Sequence, residues 1–168
     1  LKQHDRRGWL LIISALIIAF DRWTKILVER HIADGDSIPV IPHYFYISHV
    51  LNPGAAFSLF SESATPGRTR WILTAFSIMA VIIVLGMILK IGKRFTVTTI
   101  ALALILGGAL GNVWDRIRFG VVTDFLEVFI RFGHWSYHWP DFNVADSAIV
   151  CGGILILLDA LLPQKQSS

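Results

Sequence analysis

Two aspartates stand where an apolar chain least accommodates charge. Asp124 lies in VVTDFLEVF (121–129), just before an apolar run, and Asp146 lies in FNVADSAIV (142–150), at the start of one. A carboxylate near hydrocarbon costs roughly 2.5–3.5 kcal/mol on insertion scales, which makes each a functional residue by default. Brought together, two carboxylates can act as an acid–base pair, one ionised and one protonated. Other polar residues accompany them at helical spacing. Asn112, Asp115 and Arg116 fall at i, i+3 and i+4 and share one helix face. Asn143 and Asp146 are three apart, Asp21 and Lys25 four apart, and Asn52 follows a strand-like segment. Polar groups at the edge of hydrocarbon must face one another or a wet cavity, so these residues are expected to converge on one site.

The elements that must position them are membrane helices. The 168 residues are 54% hydrophobic and only 16% charged, well below the roughly 25% of a soluble domain. Four apolar segments are each near the length needed to cross about 30 Å of hydrocarbon, at about 9–28, 71–89, 95–114 and 144–162. The fold expected is an all-α membrane protein in one domain over 1–168, with four transmembrane helices. The first segment is expected to be a span and not a cleavable leader, because Asp21, Arg22 and Lys25 stand where a small-residue cleavage site would be. Between spans one and two, residues 29–68 carry DGDS (34–37) and then HYFYISHVL (43–51), which predicts a turn and short strands. AAFSLFSES (55–63) reads as a short amphipathic helix on the membrane surface. The second outer connection, 117–143, is interfacial in composition, with Trp135, Tyr137, Trp139 and Pro140 in an irregular stretch.

Basic density sets the orientation. Lys2, Arg6 and Arg7 open the chain, and Lys90, Lys93 and Arg94 crowd the loop between spans two and three. Short, dense basic segments stay cytoplasmic, which puts both termini inside and Asp124 and Asp146 near the outer face. No basic stripe with interleaved aromatics marks nucleic-acid binding. Cys151 is the single cysteine, so neither a disulfide framework nor a cysteine metal cluster is available.

Each group also has a structural reading. Asp21–Lys25 suits a structural ion pair, and Asp115 a helix-end partner that orients Arg116. Asn112 and Asn143 are read as holders of backbone or aspartate groups, and Asp146 as a helix cap. Gly107, Gly108 and Gly111 suit close helix packing. Phe57, Phe60 and the tryptophans suit interfacial anchoring. His134 and His138 have the spacing of a metal pair but no supporting context, so no metal is expected. Asp124 has no comparable structural excuse. A small proton-coupled transporter or channel is the competing function, since polar residues in membranes also mark ion paths. No repeat and no paired broken helices support it.

The blocks DRWTK (21–25), NPGAAFS (52–58), GNVWDR (111–116), VVTDF (121–125) and FNVADS (142–147) resemble, in order, those of lipoprotein signal peptidase, or signal peptidase II. The resemblance implies a bacterial inner-membrane aspartic endopeptidase, without a cofactor, that cuts prolipoproteins before a diacylglyceryl-modified cysteine. It implies catalytic roles for Asp124 and Asp146. It implies substrate-contacting or supporting roles for Asn52, Gly54, Asn112, Arg116 and Asn143, with Asp115, Asp21 and Lys25 beside them. It further implies a small periplasmic β-cradle and a periplasmic helix within 29–68. Diacylglyceryl-modified prolipoproteins and membrane lipid are the expected partners, and the chain is expected to act as a monomer. Pro53 departs from the resembled block, and Asp141, which falls outside FNVADS and follows Pro140, is assigned to the loop.

Overall fold

The computed structural model describes residues 5–54 and 66–162. The order is α1 (Arg7–His31), β1 (Ser37–Ile41), β2 (Phe45–Asn52), α2 (Pro66–Ile91), α3 (Val97–Arg118), β3 (Val122–Phe132), β4 (Trp135–Phe142) and α4 (Val144–Leu161). The amphipathic helix expected over 55–63, with Phe57 and Phe60, lies outside the described residues.

The central helix is α3, against which α1, α2 and α4 all pack. Its small residues permit this. A Cβ on Gly107 would stand 2.8 Å from the Ser14 carbonyl oxygen of α1, and one on Gly108 would stand 2.2 Å from that of Ala145 in α4. Helices approach this closely only where side chains are missing, and in membranes such contacts replace the hydrophobic driving force between helices. Thr96 caps α3 reciprocally with Thr99, satisfying backbone groups that would otherwise lack partners. Leu10, Val84, Ile88, Leu102, Ala103 and Leu106 fill the seam among α1, α2 and α3. The outward faces stay apolar, as at Leu16, Phe76, Ile82 and Leu157.

Among the described residues three helices are long and apolar enough to cross a membrane: Arg70–Ile91, Val97–Arg118 and Val144–Leu161. Asp21, Arg22 and Lys25 interrupt the apolar run of α1, though the helix itself continues through them. Beside the helices lies a four-stranded antiparallel sheet in the order β1-β2-β3-β4, open at both edges. The expected turn and strands in the first outer connection are β1 and β2, with Gly35 at φ +85° in the turn before them. The stretch 117–143, interfacial in composition, holds a long hairpin, so the small β element expected beside the helices extends to four strands. Its β-branched and aromatic alternation is the strand signal. Val28 and Ile32 of α1 pack on Phe125 of β3, which fixes the sheet to one end of the bundle.

Candidate active site

The hairpin and α4 bring the two aspartates together. Asp124 is the third residue of β3, directly opposite Val50 of β2, and it is 3% exposed. Asn52 at the end of β2 donates through Nδ2 to its Oδ2 at 2.8 Å, and Asn143 donates through Nδ2 to its Oδ1 at 2.7 Å. Asn52 reaches this position through a tight turn: its Oδ1 accepts from the Gly54 amide at 2.8 Å. That turn asks nothing of the intervening backbone nitrogen, so Pro53 fits it. Gly54 adopts φ +106°, and a Cβ there would meet Leu73 at 2.3 Å.

Asp146 sits in the first turn of α4. Its structural alternative is a helix cap, but the cap is Asn143, and Asp146 is its partner in a capping box. The Asp146 amide donates to Asn143 Oδ1 at 2.9 Å, and the Asn143 amide donates to Asp146 Oδ2 at 3.2 Å. Asn112 of α3 donates through Nδ2 to Asp146 Oδ1 at 2.7 Å. Asn143 thus ties the two aspartates together, since its side chain holds one and its backbone the other.

Both carboxylates line one cavity of about 550 Å³. Asn52, Asn112 and Arg116 share its wall, so Arg116 lies beside both aspartates. Trp139, Pro140, Phe142 and Val150 form its apolar side. Burial pushes the Asp124 carboxyl up from 3.8 to about 7, with the nearby Asp146 charge adding to the rise and the Asn52 and Asn143 donors opposing it.

Behind this cavity lies a second polar layer. Lys25 has no exposed side-chain surface, and its Nζ is 2.7 Å from Asp21 Oδ2 and 2.7 Å from Asp115 Oδ2. It also donates to Asn112 Oδ1 at 3.4 Å, which leaves the Asn112 amide group facing Asp146. Asp21 uses its other oxygen to accept from the Ala145 amide at 2.9 Å, pinning the start of α4 to α1. Asp115 was expected to orient Arg116. It pairs instead with Lys25, and Arg22 stands 3.6 Å from its second oxygen. The cause is helix phase: Asp115 is buried on the side of α3 that faces Lys25 of α1.

Of the residues singled out from sequence, Asn52, Asn112, Arg116, Asp124 and Asp146 line the cavity, Asn143 and Gly54 bond to its lining residues, and Asp21, Lys25 and Asp115 lie in the layer behind. Missed were the aromatic wall from β4 and the strip Arg22–Glu29–Thr123, with contacts of 2.7 Å and 3.0 Å. Asp141 belongs to β4 and lines the cavity, where a loop position was expected. His134 and His138 do not pair: His134 occupies the hairpin turn, while His138 faces Glu127 and Asp141.

These features define a multi-pass membrane protein with a paired-aspartate site at one end of its helical bundle. A family model described as signal peptidase (SPase) II matches residues 13–162. The chain belongs to the signal peptidase II family, whose members are aspartic peptidases. It is 45% identical over 156 residues to a lipoprotein signal peptidase of Solibacter usitatus, covering 93% of this chain and 92% of that one. It is 40% identical over 154 residues to one from Acinetobacter baumannii, covering 92% and 84%. A solved bacterial membrane enzyme, determined by the in meso method at 1.9 Å resolution, superposes with a TM-score of 0.79 at 29% identity, covering 98% of this chain and 99% of that one.

Proposed function

We propose that Asp124 and Asp146 are the catalytic pair and that they cleave a prolipoprotein immediately before its diacylglyceryl-modified cysteine. The observation that carries this reading is the shared cavity, where two carboxylates, each held by asparagine donors, face the same space. Close carboxylates do not both ionise cheaply, so the pair holds one proton near neutral pH. Asp124, poised near 7, is assigned that proton. Asp146 takes a proton from a water as the water oxygen bonds to the scissile carbonyl carbon. Asp124 gives its proton to the carbonyl oxygen. When the tetrahedral species collapses, the C–N bond breaks, the proton held by Asp146 goes to the leaving amine, and one hydroxyl of the species returns its proton to Asp124 as the product carboxyl forms. Asn52, Asn112 and Arg116 position the peptide, Asn143 couples the pair, and Gly54 shapes the turn that presents Asn52. Asp21, Lys25 and Asp115 support the site from behind.

We infer that α1 is the fourth membrane span. Its 25 residues would reach about 37 Å, and its charged residues pack inward. The whole chain then forms a single domain. Both termini and the basic α2–α3 loop lie in the cytoplasm, and the sheet and cavity lie at the periplasmic face of the inner membrane. The open sheet is the periplasmic cradle of this reading. The apolar wall of Trp139, Pro140, Phe142 and Val150 suits the lipid-modified part of the substrate, whose acyl chains stay in the bilayer at about 0.8 kcal/mol per CH₂. A monomer suffices, since every proposed site residue comes from one chain.

The test is incubation of the purified protein with a diacylglyceryl-modified precursor and with its unlipidated twin. A single cut before the modified cysteine, in the lipidated form only, is expected. Equal cleavage of both forms, or of neither, overturns the substrate assignment.

A further inference from the structure

Outside the proposed dyad, one cluster brings an imidazole to two carboxylates. Glu127 Oε1 lies 3.5 Å, and Asp141 Oδ1 3.2 Å, from His138 Nε2. All three atoms lie within 4.8 Å of one another. The sheet is irregular at this point. Leu126 pairs with Phe142, but Val128 pairs with Trp139, so Pro140 and Asp141 together face Glu127. A bulge of this kind re-aims side chains, and here it brings a β4 carboxylate beside a β3 carboxylate. Like charges at such range repel unless a cation lies between them.

The cluster is also held in place. The His138 ring stacks on Phe129 at 4.7 Å, and Tyr46 meets Phe129 edge-on at 5.7 Å. Ser48 Oγ approaches the other oxygen of Asp141 at 3.5 Å. Glu127 and Asp141 are largely buried, at 17% and 11% side-chain exposure, while His138 at 48% leaves an entry path.

We propose that Glu127, His138 and Asp141 bind a zinc-type divalent cation that clamps the β3–β4 hairpin at the wall of the cavity. Tetrahedral zinc bonded at about 2.0–2.1 Å separates its ligand atoms by roughly 3.3–3.4 Å, close to the two distances found here. One nitrogen and two carboxylate oxygens suit such an ion, with water at the fourth position. The cation takes no part in peptide cleavage. Because Asp141 lines the cavity, ligation fixes that wall.

Calorimetric titration of the metal-stripped full chain in detergent with zinc chloride at pH 7.5 tests this. Saturation at one zinc per chain is expected, together with slower amide exchange across residues 126–142. Affinity should fall by at least about tenfold in His138→Gln and in Glu127→Gln, as loss of a ligand weakens a site no less than loss of the groups around it. His134→Gln should bind as the unaltered protein does. Binding should weaken at pH 5.5, because protons compete with the metal for its ligands. Zinc-free peptidase activity of His138→Gln serves as the folding control, and Glu127→Gln carries the same test if that control fails. Absence of zinc binding overturns the proposal. Binding that survives unchanged in both variants overturns it too, because the ion then lies elsewhere.

Discussion

Asp124→Asn should change the pH dependence of stability as well as activity. The folded protein holds the Asp124 carboxyl at about 7 against an ordinary 3.8, chiefly through burial. At about 1.4 kcal/mol per pH unit, that difference amounts to about 4 kcal/mol. The sign follows from proton binding. Below pH 3.8 both folded and unfolded chains carry the proton, and folding bears no cost. Between 3.8 and 7 only the folded chain keeps it, so stability falls as pH rises and levels off above 7. An asparagine at this position has no such dependence. It carries a fixed penalty instead, because Asn52 and Asn143 both donate to the carboxylate and an amide offers one oxygen; a mismatched donor costs about 1–3 kcal/mol. The quantity to measure is therefore the difference in thermal midpoint between variant and wild type, taken from pH 4 to 8.5 in detergent. It should move in favour of the variant by up to roughly 8–16 °C across that range, at about 2–4 °C per kcal/mol. A constant difference would show that Asp124 titrates as an ordinary carboxylate and would remove the basis for assigning it the shared proton.

Three further outcomes are expected. The pH–rate profile of cleavage should be bell-shaped, with its alkaline limb near 7, where Asp124 loses its proton; chelators and Cys151→Ser should leave the rate unchanged, and chelator inhibition that added metal reverses, in His138→Gln as in the wild type, would point to a metallopeptidase. Gly108→Ala should lower both the thermal midpoint and activity, because its Cβ meets the Ala145 backbone at 2.2 Å, whereas Gly153→Ala, with nothing within 4 Å, should be neutral; equal thermal midpoints would contradict the close packing of α3 and α4. Lys25→Met should cost about 3–5 kcal/mol in unfolding experiments by stranding Asp21 and Asp115, and a loss under 1 kcal/mol would mean that the buried cation is dispensable.

The helices were legible because about twenty apolar residues in a row admit few other readings. The proposed site was legible because Asp124 and Asp146 are anomalous in that setting, and because Asn112, Asp115 and Asn143 fall at helical spacing from one another or from Asp146. What pairing decides was not legible. Asp115 turns to Lys25 rather than toward Arg116 because of the phase of α3 against α1, which depends on how closely Gly107 lets the two helices approach. Asp146 is the partner of a cap rather than the cap because α4 begins at Val144, the expected start of the span, which makes Asn143 the N-cap and puts Asp146 three residues into the capping box. The β3–β4 hairpin read as irregular because Gly133 and Pro140 interrupt its alternation, yet one supplies the turn at φ +57° and the other sits in the bulge. That bulge carries Asp141 to the cavity wall.

The most direct test of the aspartate pair is the cleavage rate of folded Asp124→Asn and Asp146→Asn proteins on the lipidated precursor at pH 6.5. Each variant should fall at least about 10³-fold, since neither proton transfer survives replacement of a carboxyl by an amide. A rate within tenfold of wild type for either variant, in protein that retains its native circular dichroism and elution volume, would contradict the assignment of the reaction to this pair.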